Sequence, residues 1–177
     1  MKKLTMTARK KRLRECSQEE LIDLVQRLYG AVPEASDFIN VEYGDVGYVD
    51  DLLLKAKKQV RHEFFPDRGL GRCSLSKAKE VIRSFGHVCK EPALYLDLQL
   101  YFVECGIEFT NEYGDIDERF YNSMEGMYRD VIDTLISLED EVLTSGFRDR
   151  LKAAVDDTEN IGWGFYDGLY DAYGMLE

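Results

Sequence analysis

The chain has 177 residues, of which 45% are hydrophobic and 12% aromatic, and its formal net charge is -11. This composition is typical of a folded globular protein and excludes a disordered acidic chain. No apolar run approaches the roughly eighteen residues that a membrane span needs. General nucleic-acid binding is disfavoured, because it requires a cationic surface that releases counterions from the nucleic acid.

The charges are strongly segregated along the chain. Residues 1–14 carry seven bases and no acid, whereas residues 15–54 carry one base and ten acids. Residues 55–90 carry ten bases and three acids, and residues 91–177 carry five bases and twenty-one acids. This pattern predicts a charge-polarised surface that binds a protein partner.

The N-terminal stretch MKKLTMTARKKRLRECS is basic and lacks the apolar middle region of a secretory signal, which predicts a cytoplasmic protein. We expect residues 1–16 to form a basic arm and residues 17–177 a single all-α domain. The four cysteines have no paired spacing, so we expect reduced thiols rather than a disulfide or metal framework: Cys16, Cys73, Cys89 and Cys105.

Helix signals recur along the chain. Ser17 and Glu20 form a capping box before an apolar stripe that stops at Gly30, and residues 30–49 predict a long connection with about one helical turn. Further helices are expected between Asp50 and Pro66 and from Ser74 to Gly86, joined by a glycine-bearing hinge, DRGLGRCS at 67–74.

The stretch from Pro92 to Asp115 predicts a buried central helix, because eleven of the sixteen residues 94–109 are large apolar, aromatic or Cys. A following helix is expected to run to about Leu143, with Gly146 marking the turn. The last helix begins near Phe147 and can split or kink around Trp163, which lies between two glycines.

Every long segment has the 3.6-residue period, which predicts an all-α protein. We expect antiparallel helix pairs around the central buried helix, arranged as an α-α superhelix or a bundle of about six helices. The segment EYGDV at 42–46 nearly repeats as EYGDI at 112–116, which adds a helical repeat-like character.

Acidic side chains line one face of the predicted central helix. Oxygen ligands spaced by three and four residues on one helix suit Mg²⁺ or Mn²⁺, with partners from a second helix, whereas the alternative is a solvated helix face. The metal candidates are Glu104, Glu108 and Asp115. The full candidate binding seam comprises Glu104, Glu108, Asn111, Glu112, Asp115, Asp157, Asn160 and Trp163.

Four strings carry a resemblance to a known family: EFFPDRG at 63–69, SLSKAKEVI at 74–82, VECGIEFTNEYGDIDERFYNSMEGMY at 103–128 and DDTENIGWGFYD at 156–167. With them the chain resembles, over residues 17–175, a family of small bacterial proteins classed only as a domain of unknown function. The resemblance implies a cytoplasmic bacterial protein without an assigned activity or catalytic residues.

Two function classes remain open at this point. The leading hypothesis is a non-enzymatic helical interaction or adaptor protein that binds a protein partner through its charge-polarised surface. The alternative is an enzyme, a Mg²⁺- or Mn²⁺-dependent hydrolase of nucleotides or phosphoesters, for which a divalent cation would be the cofactor. Neither hypothesis involves a membrane, and nucleic-acid binding through the basic block 55–90 is the least favoured reading.

Overall fold

The computed structural model describes residues 3–67 and 73–176, and every regular element in these ranges is helical. The predicted all-α class is therefore confirmed. The chain divides into two compact units, Met1–Tyr48 and Val49–Glu177. The division into an arm at 1–16 and one domain at 17–177 stays a prediction, and positions 68–72 of the expected hinge lie outside the described residues.

The first unit contains three helices: α1 (Met6–Glu15), α2 (Gln18–Ala31) and α3 (Pro33–Tyr43). The predicted capping box begins α2, since the Glu20 amide donates to Ser17 Oγ at 3.1 Å and the Ser17 amide donates to Glu20 Oε2 at 2.7 Å. The basic arm contains the helix α1, whose first turn is capped by the Thr5 hydroxyl.

The segment expected to be a long connection is largely helical. Gly30 does not end α2, which continues to Ala31, and α3 begins only two residues later at Pro33. Proline at the first helical position has its φ preset for a helix and needs no amide partner there. This proline therefore starts α3 instead of marking a loop.

The second unit has more helices than the sequence predicts. Its elements are α4 (Tyr48–Phe64), α5 (Leu75–Val88), α6 (Pro92–Tyr113), α7 (Glu118–Leu138), α8 (Glu141–Asp156) and α9 (Phe165–Tyr173), followed by a 3₁₀ turn at Gly174–Leu176. With α1–α3 they make nine α-helices over the described ranges, against the six expected. No helix among these has the length and apolar content for crossing a membrane.

The predicted central helix is α6, and its buried central position is confirmed. Eleven of its residues are buried, and it packs against α5, α7 and α8. Close contact with α7 depends on Gly106, because a Cβ at this position would overlap the sulfur of the fully buried Met124. The helix ends at Gly114, which has a positive φ of 87°.

The break between α7 and α8 lies earlier than the sequence predicts. Gly146 was the expected turn, but it lies inside α8. The chain turns instead at Glu139, whose φ is 52°, and the Asp140 side chain then accepts a hydrogen bond from the Leu143 amide at 3.0 Å. An aspartate N-cap outweighs one helical glycine, since the cap satisfies an amide that would otherwise lack a partner.

The expected split around Trp163 is present. Helix α8 ends at Asp156, and α9 begins at Phe165. Between them Trp163 and Gly164 have φ values of 64° and 69°, in the left-handed region. Two consecutive left-handed residues cannot continue a right-handed helix, so the chain changes direction at this point.

Candidate functional site

Three carboxylates lie along one side of α6, Asp97 and the predicted seam residues Glu104 and Glu108, and basic side chains from two other helices bind them. On α4, Lys57 Nζ lies 2.7 Å from Asp97 Oδ2. Arg150 of α8 reaches the same carboxylate, with Nη1 2.6 Å from Asp97 Oδ1. It also binds Glu104 through Nε and Nη2, at 2.8 and 2.9 Å.

The next carboxylate along α6 is paired in the same way. Both Arg61 amino nitrogens donate to Glu108, each at 2.7 Å, in a bidentate pair. These hydrogen bonds hold the pKa of Glu108 below its ordinary value. The pair therefore stabilises the folded chain above the ordinary glutamate pKa, and this contribution is lost as pH falls through the lowered pKa. Because both side chains are more than 40% exposed, it amounts to roughly 0–1 kcal/mol.

Arg150 is the cation of this network that binds two carboxylates, Asp97 and Glu104. Burial by itself would lower the pKa of Arg150, but its bonds to Glu104 and Asp97 raise that pKa overall. The guanidinium therefore stays charged and holds α8 against α6. The upstream part of the predicted seam is thus an interhelical ion-pair network, in which the carboxylate oxygens already bind cations of the protein.

Sequence reasoning left the basic block 55–90 open, as a solvated helix face or a face that meets acidic groups, and did not identify the individual pairs. Lys57 and Arg61 meet acidic groups of the same chain, whereas Arg150 had no assigned role. The paired residues are 40 to 53 positions apart in the chain, and a helical pattern says nothing about contacts over that separation. The four-residue spacing of Lys57 and Arg61, which puts them on one side of α4, was the only usable signal.

Five of the eight predicted seam residues come together around an open groove of about 490 Å³. The groove follows the second half of α6 and is closed at one side by the end of α8. Buried Ile107 contributes an apolar surface to it. The other lining residues are Glu104, Glu108, Asn111, Glu112 and Asp157.

The C-terminal ends of α6 and α8 meet at this groove. Asn111 Nδ2 donates to the backbone carbonyl of Asp157 at 3.1 Å, which joins the two helices directly. The turn that carries Asp157 is fixed by buried Thr158, whose hydroxyl donates to the Val155 carbonyl at 2.6 Å. Neither helix has a basic residue in its last turn, so the partial negative charges of both helix ends remain uncompensated there.

Asp115 does not line the groove. Its Oδ1 accepts a hydrogen bond of 2.9 Å from the Tyr121 hydroxyl, which also lies 2.7 Å from the Thr110 hydroxyl. This cluster ties the end of α6 to the start of α7. Burial and the Asp115 carboxylate, opposed by the Thr110 and Ile116 bonds, raise the pKa of Tyr121. The role of Asp115 in the structure is to hold the connection between the two helices.

Asn160 and Trp163 lie on the connection between α8 and α9, and both are exposed. The Trp163 side chain is 61% exposed although its backbone has the left-handed conformation that a bulky residue rarely adopts. Next to it, Gly162 lies against Asp115: a Cβ there would be 3.5 Å from Asp115 Oδ2. On α9, Tyr166 and Tyr170 stack on each other, with ring centroids 5.8 Å apart.

Metal binding and thiol chemistry find little support in this arrangement. Over residues 3–67 and 73–176 no group of three or more His, Cys, Asp and Glu residues is placed to hold a metal ion. Burial raises the pKa of Cys105 to about 11 and that of Cys73 to about 12, so both thiols are protonated at neutral pH. All four cysteines are free.

A model of a family of unknown function, DUF6155, matches residues 4–172. The chain belongs to this family. DUF6155 thus extends over both structural units, including the helix α1, which lies outside the residues 17–175 of the sequence resemblance. Comparisons with curated proteins and with solved structures found no match.

Proposed function

We propose that this DUF6155 chain is a non-enzymatic interaction protein that binds a basic segment of a protein partner in the groove between the ends of α6 and α8. The supporting observation is a contrast within the groove. Glu104 and Glu108 pair with arginines, whereas Glu112 and Asp157 form no ion pair with any residue of the described ranges. The groove therefore carries uncompensated negative charge at one end only.

The electrostatics of the surrounding chain favour a cationic partner. Residues 91–177 contain twenty-one acids and five bases, so the groove lies within a strongly acidic region. The two helix C-termini add partial negative charge where Glu112 and Asp157 lie. A lysine or arginine of a partner would meet carboxylates, two helix ends and the amide of Asn111, while Ile107 offers contact to its aliphatic stem.

Trp163 extends this surface beyond the groove. It lies on the same connection as Asp157, and an exposed tryptophan can contact a cation through its ring face or an apolar side chain through its area. Tryptophan is among the residues that most often carry binding energy in protein interfaces. The backbone of Trp163 has a left-handed conformation that bulky residues rarely adopt, so the conformation of this turn does not explain why tryptophan occupies the position.

The chain supplies its own reporter for a test, because Trp163 is its only tryptophan. The full chain is titrated with a Lys/Ala peptide and with the matching Glu/Ala peptide while the tryptophan emission is recorded. We expect a saturable change with the basic peptide alone, and an affinity about tenfold weaker at 300 mM than at 50 mM NaCl because salt screens the charges.

Paired variants then locate the site. The double variant Glu112→Gln/Asp157→Asn is expected to weaken binding by about tenfold, since it removes the unpaired carboxylates. The control Asp133→Asn/Glu139→Gln also removes two negative charges, one from the second half of α7 and one from the residue that follows this helix. It should leave the affinity within about twofold of the wild type. Equal losses in both variants would contradict the groove as the binding site.

The second hypothesis is the Mg²⁺- or Mn²⁺-dependent hydrolase of nucleotides or phosphoesters. Its support is the set of oxygen donors that converge at the groove, Asn111, Glu112 and Asp157. Against it, the metal candidates Glu104 and Glu108 bind arginines, and Asp115 binds Tyr121. A cation bound there should raise the unfolding temperature in millimolar Mn²⁺, and Glu112→Ala should remove that rise. An unchanged unfolding temperature counts against the hydrolase.

A further inference from the structure

The helices of the first unit leave their apolar side chains largely uncovered. None of the described residues of α1, α2 or α3 is buried. On α2, Ile22 is 49% exposed, Val25 46% and Tyr29 43%. Their spacing by three and four residues puts them on one face of the helix. A helix hairpin that buries so little apolar surface gains too little free energy to offset the chain entropy of folding.

The charges of this unit are complementary to each other. Residues 1–14 carry seven bases and no acid, while residues 15–48 carry eight acids and one base. Arg27 and Asp23, one turn apart on α2, form an ion pair at 3.7 Å. Lys10 and Arg14 lie one helical turn apart on α1, and neither forms an ion pair with a described residue of this unit. One copy thus offers a cationic segment and an anionic segment of equal and opposite charge.

We propose that this unit forms a homodimer interface, in which the apolar faces of α2 from two copies pack together. The basic α1 of each copy lies against the acidic α2 of the other. A two-fold symmetric interface makes every contact twice, so a surface with one segment of each sign is complementary to itself. The proposal does not rest on the peptide-binding function proposed for the groove.

The charge pattern favours a second copy over other occupants. An acidic partner or an anionic membrane would neutralise α1 but would be repelled by the acidic side chains in the first two turns of α2, such as Glu19 and Asp23. A basic partner would be attracted by the acidic α2 but repelled by the basic α1. A second copy of this chain brings both signs and the apolar face together.

Sedimentation equilibrium of the full chain tests the dimer. We expect a mass of twice the 20.5 kDa of the monomer at about 100 µM protein and about 150 mM NaCl. Val25→Asp is expected to weaken dimerisation by at least about tenfold, because it places a charge in the apolar interface. Val25 is 46% exposed, so the change should leave the helical content in circular dichroism unaltered.

Charge reversal gives the decisive comparison. Lys10→Glu/Arg14→Glu and Glu19→Lys/Asp23→Lys should each be monomeric, since each homodimer would place like charges opposite one another. In an equimolar mixture both contacts of the heterodimer join opposite charges, so the dimer should return. Asp133→Lys, at an exposed position of α7, is the control that leaves dimerisation unchanged.

Three outcomes would overturn the proposal. The first is a wild-type chain that stays monomeric up to about 500 µM, where even a weak dimer would be populated. The second is a mixture of the two reversed variants that remains monomeric. The third is a monomeric wild-type chain that binds vesicles of anionic phospholipid, because the occupant of this face would then be a membrane surface.

Discussion

At the scale of single residues, two glycines on neighbouring helices have opposite surroundings. Gly106 on α6 faces Met124 of α7, which is fully buried and has no free space to move into. Gly126 on α7 is exposed, and a Cβ at its position would have no atom within 4 Å. Replacing each glycine by alanine therefore distinguishes the effect of close packing on stability from the effect of helix propensity.

Gly106→Ala is expected to lower the free energy of unfolding by about 1–3 kcal/mol, because the added methyl group forces the packed helices apart. Gly126→Ala should raise it by up to about 1 kcal/mol, since alanine favours the helix and costs the unfolded chain entropy. Urea unfolding followed by circular dichroism measures both. A Gly106→Ala variant as stable as the wild type would contradict the close approach of α6 and α7.

The acidic line on α6 illustrates what residue patterns can and cannot predict. The spacing of Asp97, Glu104 and Glu108 was sufficient to place them on one side of a helix. Their partners were not predictable, because the position of Arg150 opposite them is set by the packing of α8 on α6. The seam was predicted as a cation-binding or a solvated face, yet its upstream half is paired with basic side chains of the protein. Glu112 and Asp157 form no ion pair in the described ranges, and Asp115 is held by the Tyr121 hydroxyl.

At the scale of helices, the ends were harder to predict than the helices. The capping box at Ser17 and the glycine end at Gly114 are local signals, and both were placed correctly. The start of α8 was missed because one apolar stripe was followed to about Leu143 and Gly146 was taken as the turn, whereas Asp140 caps α8 through a direct hydrogen bond. The cap decides the boundary because it satisfies a backbone amide.

Asp140→Ala is therefore expected to lower the free energy of unfolding by about 1 kcal/mol, within the usual range for the loss of an N-cap. Asp140→Asn keeps an acceptor for the Leu143 amide and should be nearly neutral. Asp133→Ala removes an exposed aspartate from the interior of α7 and serves as the control. Thermal unfolding of the variants provides the measurement, and equal effects of Asp140→Ala and Asp133→Ala would rule out the capping role.

The near repeat of EYGDV and EYGDI also belongs to this scale. Each segment ends a helix: α3 stops at Tyr43 and α6 at Tyr113. In both, the amide of the following glycine donates to the carbonyl four residues earlier, Gly44 to Asn40 and Gly114 to Thr110, each at 2.8 Å. The two glycines differ in backbone conformation, with φ -86° at Gly44 and 87° at Gly114, so the shared letters mark a helix end in both places and do not by themselves indicate a repeated helix pair.

At the scale of the molecule, the two units differ in what holds them together. Every buried hydrophobic residue of the described chain lies between Leu53 and Ala172, within the second unit. The first unit has no core of its own. If residues 17–177 formed one domain, α2 and α3 would unfold in the same cooperative transition as the core of the second unit.

Residues 49–177 expressed alone are expected to fold, with a free energy of unfolding within about 1 kcal/mol of that of the dilute full chain, because they retain the whole core. The full chain should in addition show an unfolding temperature that rises with protein concentration, since dimerisation through α2 stabilises the folded state by mass action. The fragment lacks that interface, so its unfolding temperature should not depend on concentration. A fragment that fails to fold would instead place residues 17–48 within the same domain.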